Sequence, residues 1–147
     1  MKTARLGRSR VRRLAPRDSH QPEQAAFSFP AAEPRATPPW PAPAPGEPPL
    51  RPLSLFDPPE PVEVIAEVPD GPPRRFRWRG QSHDVALSEG PERIAAPWWL
   101  GDPDAPPPPR DYYRVEDMAG RRFWLFRHGL YGAATAPPRW WMHGLFA

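Results

Sequence analysis

Proline limits this chain before anything else does. It supplies 27 of 147 residues and gathers mainly in two stretches, residues 30–61 and 97–109. Proline lacks the backbone donor that helix interiors and central strands need, so neither stretch reads as the inside of a regular element. The run PPWPAPAPGEPP favours extended polyproline II, a semi-rigid spacer. What is left to fold is one small domain near the C-terminus, shorter than about a hundred residues. Seven Trp and seven Phe compensate for its size, because each aromatic buries a large apolar area.

Residues 110–127, RDYYRVEDMAGRRFWLFR, specify their own pairing. Asp117 opens a turn, and Gly120 supplies the positive φ with which a type I turn closes through a bulge. Asp117 then lies opposite Arg121. Tyr113 and Val115 meet Leu125 and Phe123 on one face. On the other face Glu116 meets Arg122 as an ion pair, Arg114 meets Trp124 as a cation–π pair, and Tyr112 meets Phe126. A slip of one residue would undo both faces, so the antiparallel register is well determined.

Shorter alternating segments surround this hairpin. Val62, Val64, Ala66 and Val68 mark a half-buried strand, and residues 69–73 a turn. Phe76 and Trp78 then alternate with Arg75, Arg77 and Arg79. Gly80 allows a tight return into residues 81–87, where His83, Val85 and Leu87 share a face. Residues 88–94, SEGPERI, read as a turn; residues 95–100 bring Trp98 and Trp99 before a proline loop. Residues 139–146, RWWMHGLF, form a last aromatic strand with Phe146 tied into a sheet or a partner. The fold class is mostly β: a small antiparallel barrel or curled sheet over residues 62–147. A disordered proline-rich linker, residues 22–61, precedes it, and a basic segment, residues 1–21, comes first.

Several chemistries lack their residues. Without cysteine there are no disulfides, no thiol catalysis and no Cys-type zinc sites. The four histidines have neither i,i+4 nor HExxH spacing, and no clustered carboxylates stand ready for magnesium. There is no P-loop and no GxGxxG. Asp18-Ser19-His20 holds the letters of a hydrolase triad, but sequence neighbours in an extended segment cannot bridge each other in triad geometry. No apolar run approaches the ~20 residues of a membrane span. The expectation is a cytoplasmic chain with no enzymatic activity, cofactor or metal.

Binding residues are easier to nominate. The formal charge is +3, with a single lysine, so the basic side chains are nearly all arginine. Arg5, Arg8, Arg10, Arg12 and Arg13 fall in an acid-free N-terminal segment. It reads either as a strand contacting DNA phosphates, as a disordered basic tail, or as a transit peptide whose amphipathic helix Pro16 cuts short. Arg75, Arg77 and Arg79 form a second row; cross-strand pairing with Glu63 and Glu67 explains them more cheaply than nucleic acid does. Trp140, Trp141 and Phe146 are candidates for partner contact. Leu53, Ser54, Leu55 and Phe56 resemble the peptide by which bacterial polymerases and repair proteins hold the sliding clamp. Pro52 stands where that peptide usually has Gln. Leu55 and Phe56 on an extended segment would fill an apolar pocket at low ordering cost, unless they dock on the domain that follows.

Taken together, LGRSRVRRLAPRDSHQPEQA, PEPVEVIAEVPDGPPRRFRWRG, GPERIAAPWW, the hairpin block and PRWWMHGLFA resemble the C-terminal third of the ImuB family. These are Y-family DNA-polymerase homologues of bacterial damage-inducible mutagenesis cassettes. The resemblance implies a non-catalytic adaptor in translesion synthesis. Its implied partners are a sliding clamp, a RecA-related ImuA-like protein and an error-prone replicative-type polymerase. It also implies that residues 6–14 correspond to the last strand of a DNA-contacting little finger. The family's palm, fingers and thumb have no counterpart here. The alternatives from the residues alone are a small β domain binding single-stranded nucleic acid through Arg and aromatic side chains, or a gene remnant without activity.

Overall fold

The computed structural model describes residues 7, 9–42, 44–47, 49–68, 70–96, 99, 102, 104–105, 107–129 and 137–147. The chain divides into two compact units, Met1–Pro48 and Pro49–Ala147.

In the first unit β1 (Arg12–Pro16) pairs antiparallel with β2 (Ala26–Pro30), and a single 3-10 turn, Pro22–Gln24, lies between them. Arg13 faces Phe29 and Ala15 faces Phe27, so one side of the ribbon is apolar. Ala15 and Phe29 are buried there. The guanidinium groups of Arg13, Arg17 and Arg35 lie 5.3–5.9 Å from the Phe27 or Phe29 ring centres. On the other side Arg12 donates to Ser28 Oγ at 3.0 Å and to the Ser28 carbonyl at 2.8 Å. A basic strand therefore forms, later in the chain than residues 6–14. The linker expected from residue 22 gives up its start to β2, because Phe27 and Phe29 find arginine stems to pack against.

The second unit is a closed barrel of β3 (Ser54–Ala66), β4 (Pro73–Trp78), β5 (Gln81–Ile94), β6 (Arg110–Asp117), β7 (Arg122–His128) and β8 (Arg139–Leu145). Neighbours in sequence are neighbours in the sheet, and β3 closes the ring on β8. Closure pairs every strand with two neighbours, apart from the start of β3, which β4 does not reach. Val62, Phe76, Tyr113, Val115, Phe123, Leu125, Trp140 and Met142 fill the interior. The β6–β7 register is the one the sequence dictates, from Tyr112 opposite Phe126 to Glu116 opposite Arg122. The Asp117 amide donates to the Arg121 carbonyl at 2.9 Å, and Gly120 has φ 78°.

Three expectations change. First, Arg114 turns to Glu89 on β5 at 2.9 Å, while Arg122 donates to the Ala147 carbonyl and lies over Phe146. Tyr112, Trp124 and Phe126 on that outer face are instead buried in a second cluster with Ile94. Second, residues 88–94 continue β5 rather than turning. Bulges near Ala86 and Gly90 absorb the extra residues, and the first leaves Leu87 55% exposed instead of beside Val85. Third, residues 54–61 belong to β3 rather than to a linker. Residues 56–59 bulge away from β8, and β4 joins β3 only from Glu63, so Pro58, Pro59 and Pro61 occupy positions where a missing donor is tolerated.

Candidate functional site

A polar group plugs each end of the barrel interior. At the hairpin end, Asp117 closes β6 and His83 comes from β5, both inward-facing and almost wholly buried. The Asp117 Oδ1 accepts the backbone amides of Ala119 and Arg121 at 3.0 Å each, which fixes the turn; Oδ2 lies 3.0 Å from His83 Nδ1 and 2.9 Å from Arg121 Nε. Burial raises the Asp117 pKa, but the hydrogen bonds from His83, from Arg121 and from the Ala119 amide outweigh it and hold the group down at about 2. Asp117 is thus an acceptor only, so His83 carries its hydrogen on Nδ1 and donates to it. The imidazole is stacked on Phe76, with ring centres 4.6 Å apart, and meets the Phe123 ring edge-on. Its Nε2 is buried and has no hydrogen-bond partner.

Beside His83 opens a pocket of about 400 Å³. Trp78, Phe123, Leu145 and Phe146 supply its apolar wall, and Arg121 and Arg122 its charge. At the opposite end Arg127 Nη2 reaches Asp111 Oδ2 at 2.9 Å, both side chains 2% exposed. Arg93 and Asp70, each about half exposed, extend this pair outward at 2.7 Å and 3.0 Å. Burial raises the Asp111 pKa, yet its bonds to Arg93 and Arg127 bring it below the ordinary carboxylate value.

The nominated residues are not gathered in one place. Ser54, Leu55 and Phe56 sit in β3, with Ser54 opposite Leu145 and Leu55 opposite Gly144. Phe56 packs on the barrel core and on Trp78, at 5.7 Å between ring centres, while Leu53 is 97% exposed. The peptide nominated as a free ligand is built into the barrel wall. Arg75 pairs with Asp84 at 2.5 Å, Arg77 with Glu63 at 4.0 Å and Arg79 with Glu60 at 2.6 Å, so each has a carboxylate nearby, but of the two expected partners only Glu63 takes part and Glu67 pairs with Arg74 instead. Of the three tail aromatics, Trp140 is an interior residue; Trp141 and Phe146 are half-buried against the outer cluster. Arg10, Arg12 and Arg13 are exposed in the first unit; Arg5 and Arg8, like Trp98, lie outside the described residues.

Charge follows the same division. Residues 1–48 hold eight basic against four acidic residues, and residues 49–147 hold 12 against 13. Among the described residues, no three His, Asp or Glu side chains converge as metal ligands would, and no helix is long and apolar enough to cross a membrane. Sequence reading overlooked the site formed by His83, Asp117 and Arg121. His83 looked like a lone histidine, and only the pairing of β5 with β6 brings it to Asp117, 34 residues away.

Comparison with known proteins agrees with the resemblance. The chain is 48% identical to Protein ImuB of Caulobacter vibrioides, in strains NA1000 and ATCC 19089, over 97% of its own length. It spans about a third of those relatives, 31%, and matches their C-terminal region. No solved structure matches it significantly. The family model described as "Domain of unknown function (DUF6504)" matches residues 57–146, from the middle of β3 to the residue after β8, and the chain belongs to that family.

Proposed function

We propose that this chain is a non-catalytic interaction module of bacterial DNA-damage-induced mutagenesis, acting within translesion synthesis as the C-terminal part of an ImuB-type adaptor. The observation that carries the reading is the 48% identity to ImuB across 97% of the chain. The barrel is consistent with it, since many of its arginines pair with carboxylates and its net charge is close to zero. In this reading the module works in the bacterial cytoplasm. Its partners are the sliding clamp, an ImuA-like RecA-related protein and an error-prone replicative-type polymerase. DNA contact belongs to the basic first unit, through Arg10, Arg12 and Arg13, rather than to Arg75, Arg77 and Arg79 on the near-neutral barrel. Clamp contact through Leu53, Ser54, Leu55 and Phe56 requires Ser54 and Leu55 to leave β8 and Phe56 to leave the core and Trp78 first.

A pull-down with the tagged chain from DNA-damaged cells tests the reading. Recovery of the ImuA-like protein, the clamp or the polymerase above a tag-only control is expected; recovery of none of them would overturn it.

A further inference from the structure

We propose that residues 50–55 form a strap that Arg51 latches to the outside of the barrel, and that opening of this latch governs access to the peptide of residues 53–56. The inference rests on the clamp-contact reading above and adds what controls that contact. Arg51 makes the main fastening. Its guanidinium holds both carboxylate oxygens of Glu92 on β5 and lies over the Trp124 ring on β7, 5.0 Å from the ring centre. Pro52 beside it is buried. It rests where β8 has Gly144, at which a Cβ would come within 2.6 Å of both Pro52 Cγ and the Ser54 carbonyl. The bare backbone of Gly144 is thus the seat of the strap. Ser54 opposite Leu145 and Leu55 opposite Gly144 complete the attachment.

Little else holds the strap. Its pairing with β8 lapses over residues 56–59, and β4 joins β3 only from Glu63. Leu50 and Leu53 are 59% and 97% exposed, so they contribute little burial. Arg51 and Glu92 are themselves 41% and 46% exposed, and an ion pair so placed is weak and screened by salt. A segment fastened in this way opens locally, at less cost than unfolding the barrel. The bulge is its hinge, and Phe56, half-buried there against Trp78, is the last contact to release. The family domain is matched only from residue 57, just beyond the strap. A ligand peptide available only in the open state binds in proportion to the open fraction, so loosening Arg51 raises apparent affinity by the same factor.

Amide hydrogen exchange of the full chain, followed over residues 50–57 with β6 and β7 as internal control, tests the latch. Arg51→Met and Glu92→Gln are each expected to speed strap exchange about fivefold and leave β6 and β7 unchanged. Titration with purified bacterial sliding clamp is expected to show affinity about fivefold higher in both variants. Ser54→Cys with Leu145→Cys puts two cysteines on facing residues of a chain that has no other. Oxidised, this variant is expected to bind the clamp at least about tenfold more weakly than when reduced. Unchanged strap exchange in both latch variants, or equal measurable clamp affinity of the oxidised and reduced forms, would overturn the proposal. If strap exchange accelerates and no form binds the clamp, the strap stands and the clamp-contact reading fails. If the clamp binds wild type and both latch variants alike, the contact stands and the latch fails.

Discussion

Asp111 and Arg127 face each other across β6 and β7, with Nη2 and Oδ2 2.9 Å apart and both side chains 2% exposed. The pair closes the barrel interior opposite the His83–Asp117 end. Removing one partner of a buried pair strands the other charge, so Arg127→Met is expected to cost about 3 kcal/mol, with Arg93 limiting the loss. Asp111→Leu combined with Arg127→Met removes both charges and is expected to regain most of it. Urea denaturation of the two single variants and the double variant measures the coupling. Additive losses would mean that the pair is not a unit.

Asp117 makes a prediction about acid. Its folded pKa, about 2, lies below its ordinary value of 3.8. A carboxylate depressed in this way contributes its stability above the ordinary value and loses it as pH falls through the folded one. The window is therefore pH 4 to 2, and the contribution is on the order of 2 kcal/mol. Wild type should exceed Asp117→Asn in urea stability at pH 6, and the gap should narrow at pH 2.5. A gap that stays constant would assign the Asp117 contribution to geometry alone.

Two glycines separate backbone strain from collision. Gly120 has φ 78° and open space where a Cβ would be, so Gly120→Ala is expected to cost about 1 kcal/mol. Gly90 has φ 134°, and a Cβ there would come within 2.6 Å of the Tyr112 carbonyl. Gly90→Ala is expected to cost about 3 kcal/mol. Thermal melts of the two variants rank them, and equal losses would contradict the β5 bulge as described.

The clamp-like peptide gives a stability test that its sequence alone would have missed. Phe56 lies on the core and against Trp78, with the Arg79 guanidinium 5.3 Å from its ring centre. Phe56→Ala should therefore destabilise the barrel by about 2–3 kcal/mol, whereas Leu53→Ala, at a 97% exposed position, should be nearly neutral. Chemical denaturation distinguishes them. Clamp binding is best tested with Leu53→Ala, since loss of affinity in a Phe56 variant would confound binding with unfolding.

How much of this was legible beforehand depended on sequence distance. The β6–β7 hairpin was readable because Asp117 and Gly120 fix its turn, and alternation then fixes every pair. The β5 extension was not, since SEGPERI has turn composition and becomes strand only because β6 pairs with it around two bulges. Residues 54–61 looked like linker because proline is scarce in sheets, yet β3 has one side unpaired there. Of the arginine row, only Arg77 meets an expected partner, Glu63; Arg75 takes Asp84 and Arg79 takes Glu60, pairings that alternation alone did not single out. His83 with Asp117, and the pocket beside them, depend on the β5–β6 register and were invisible in the linear pattern.

Competition inside a cell tests most directly whether this chain acts as the proposed ImuB-type interaction module. The chain should be overproduced in a bacterium that carries an intact ImuB cassette, and mutation frequency measured after ultraviolet damage. A functional module would occupy ImuB's partners and lower induced mutagenesis severalfold, with spontaneous mutagenesis unchanged. Unchanged induced mutagenesis, with the folded chain present in excess over ImuB, would contradict the account.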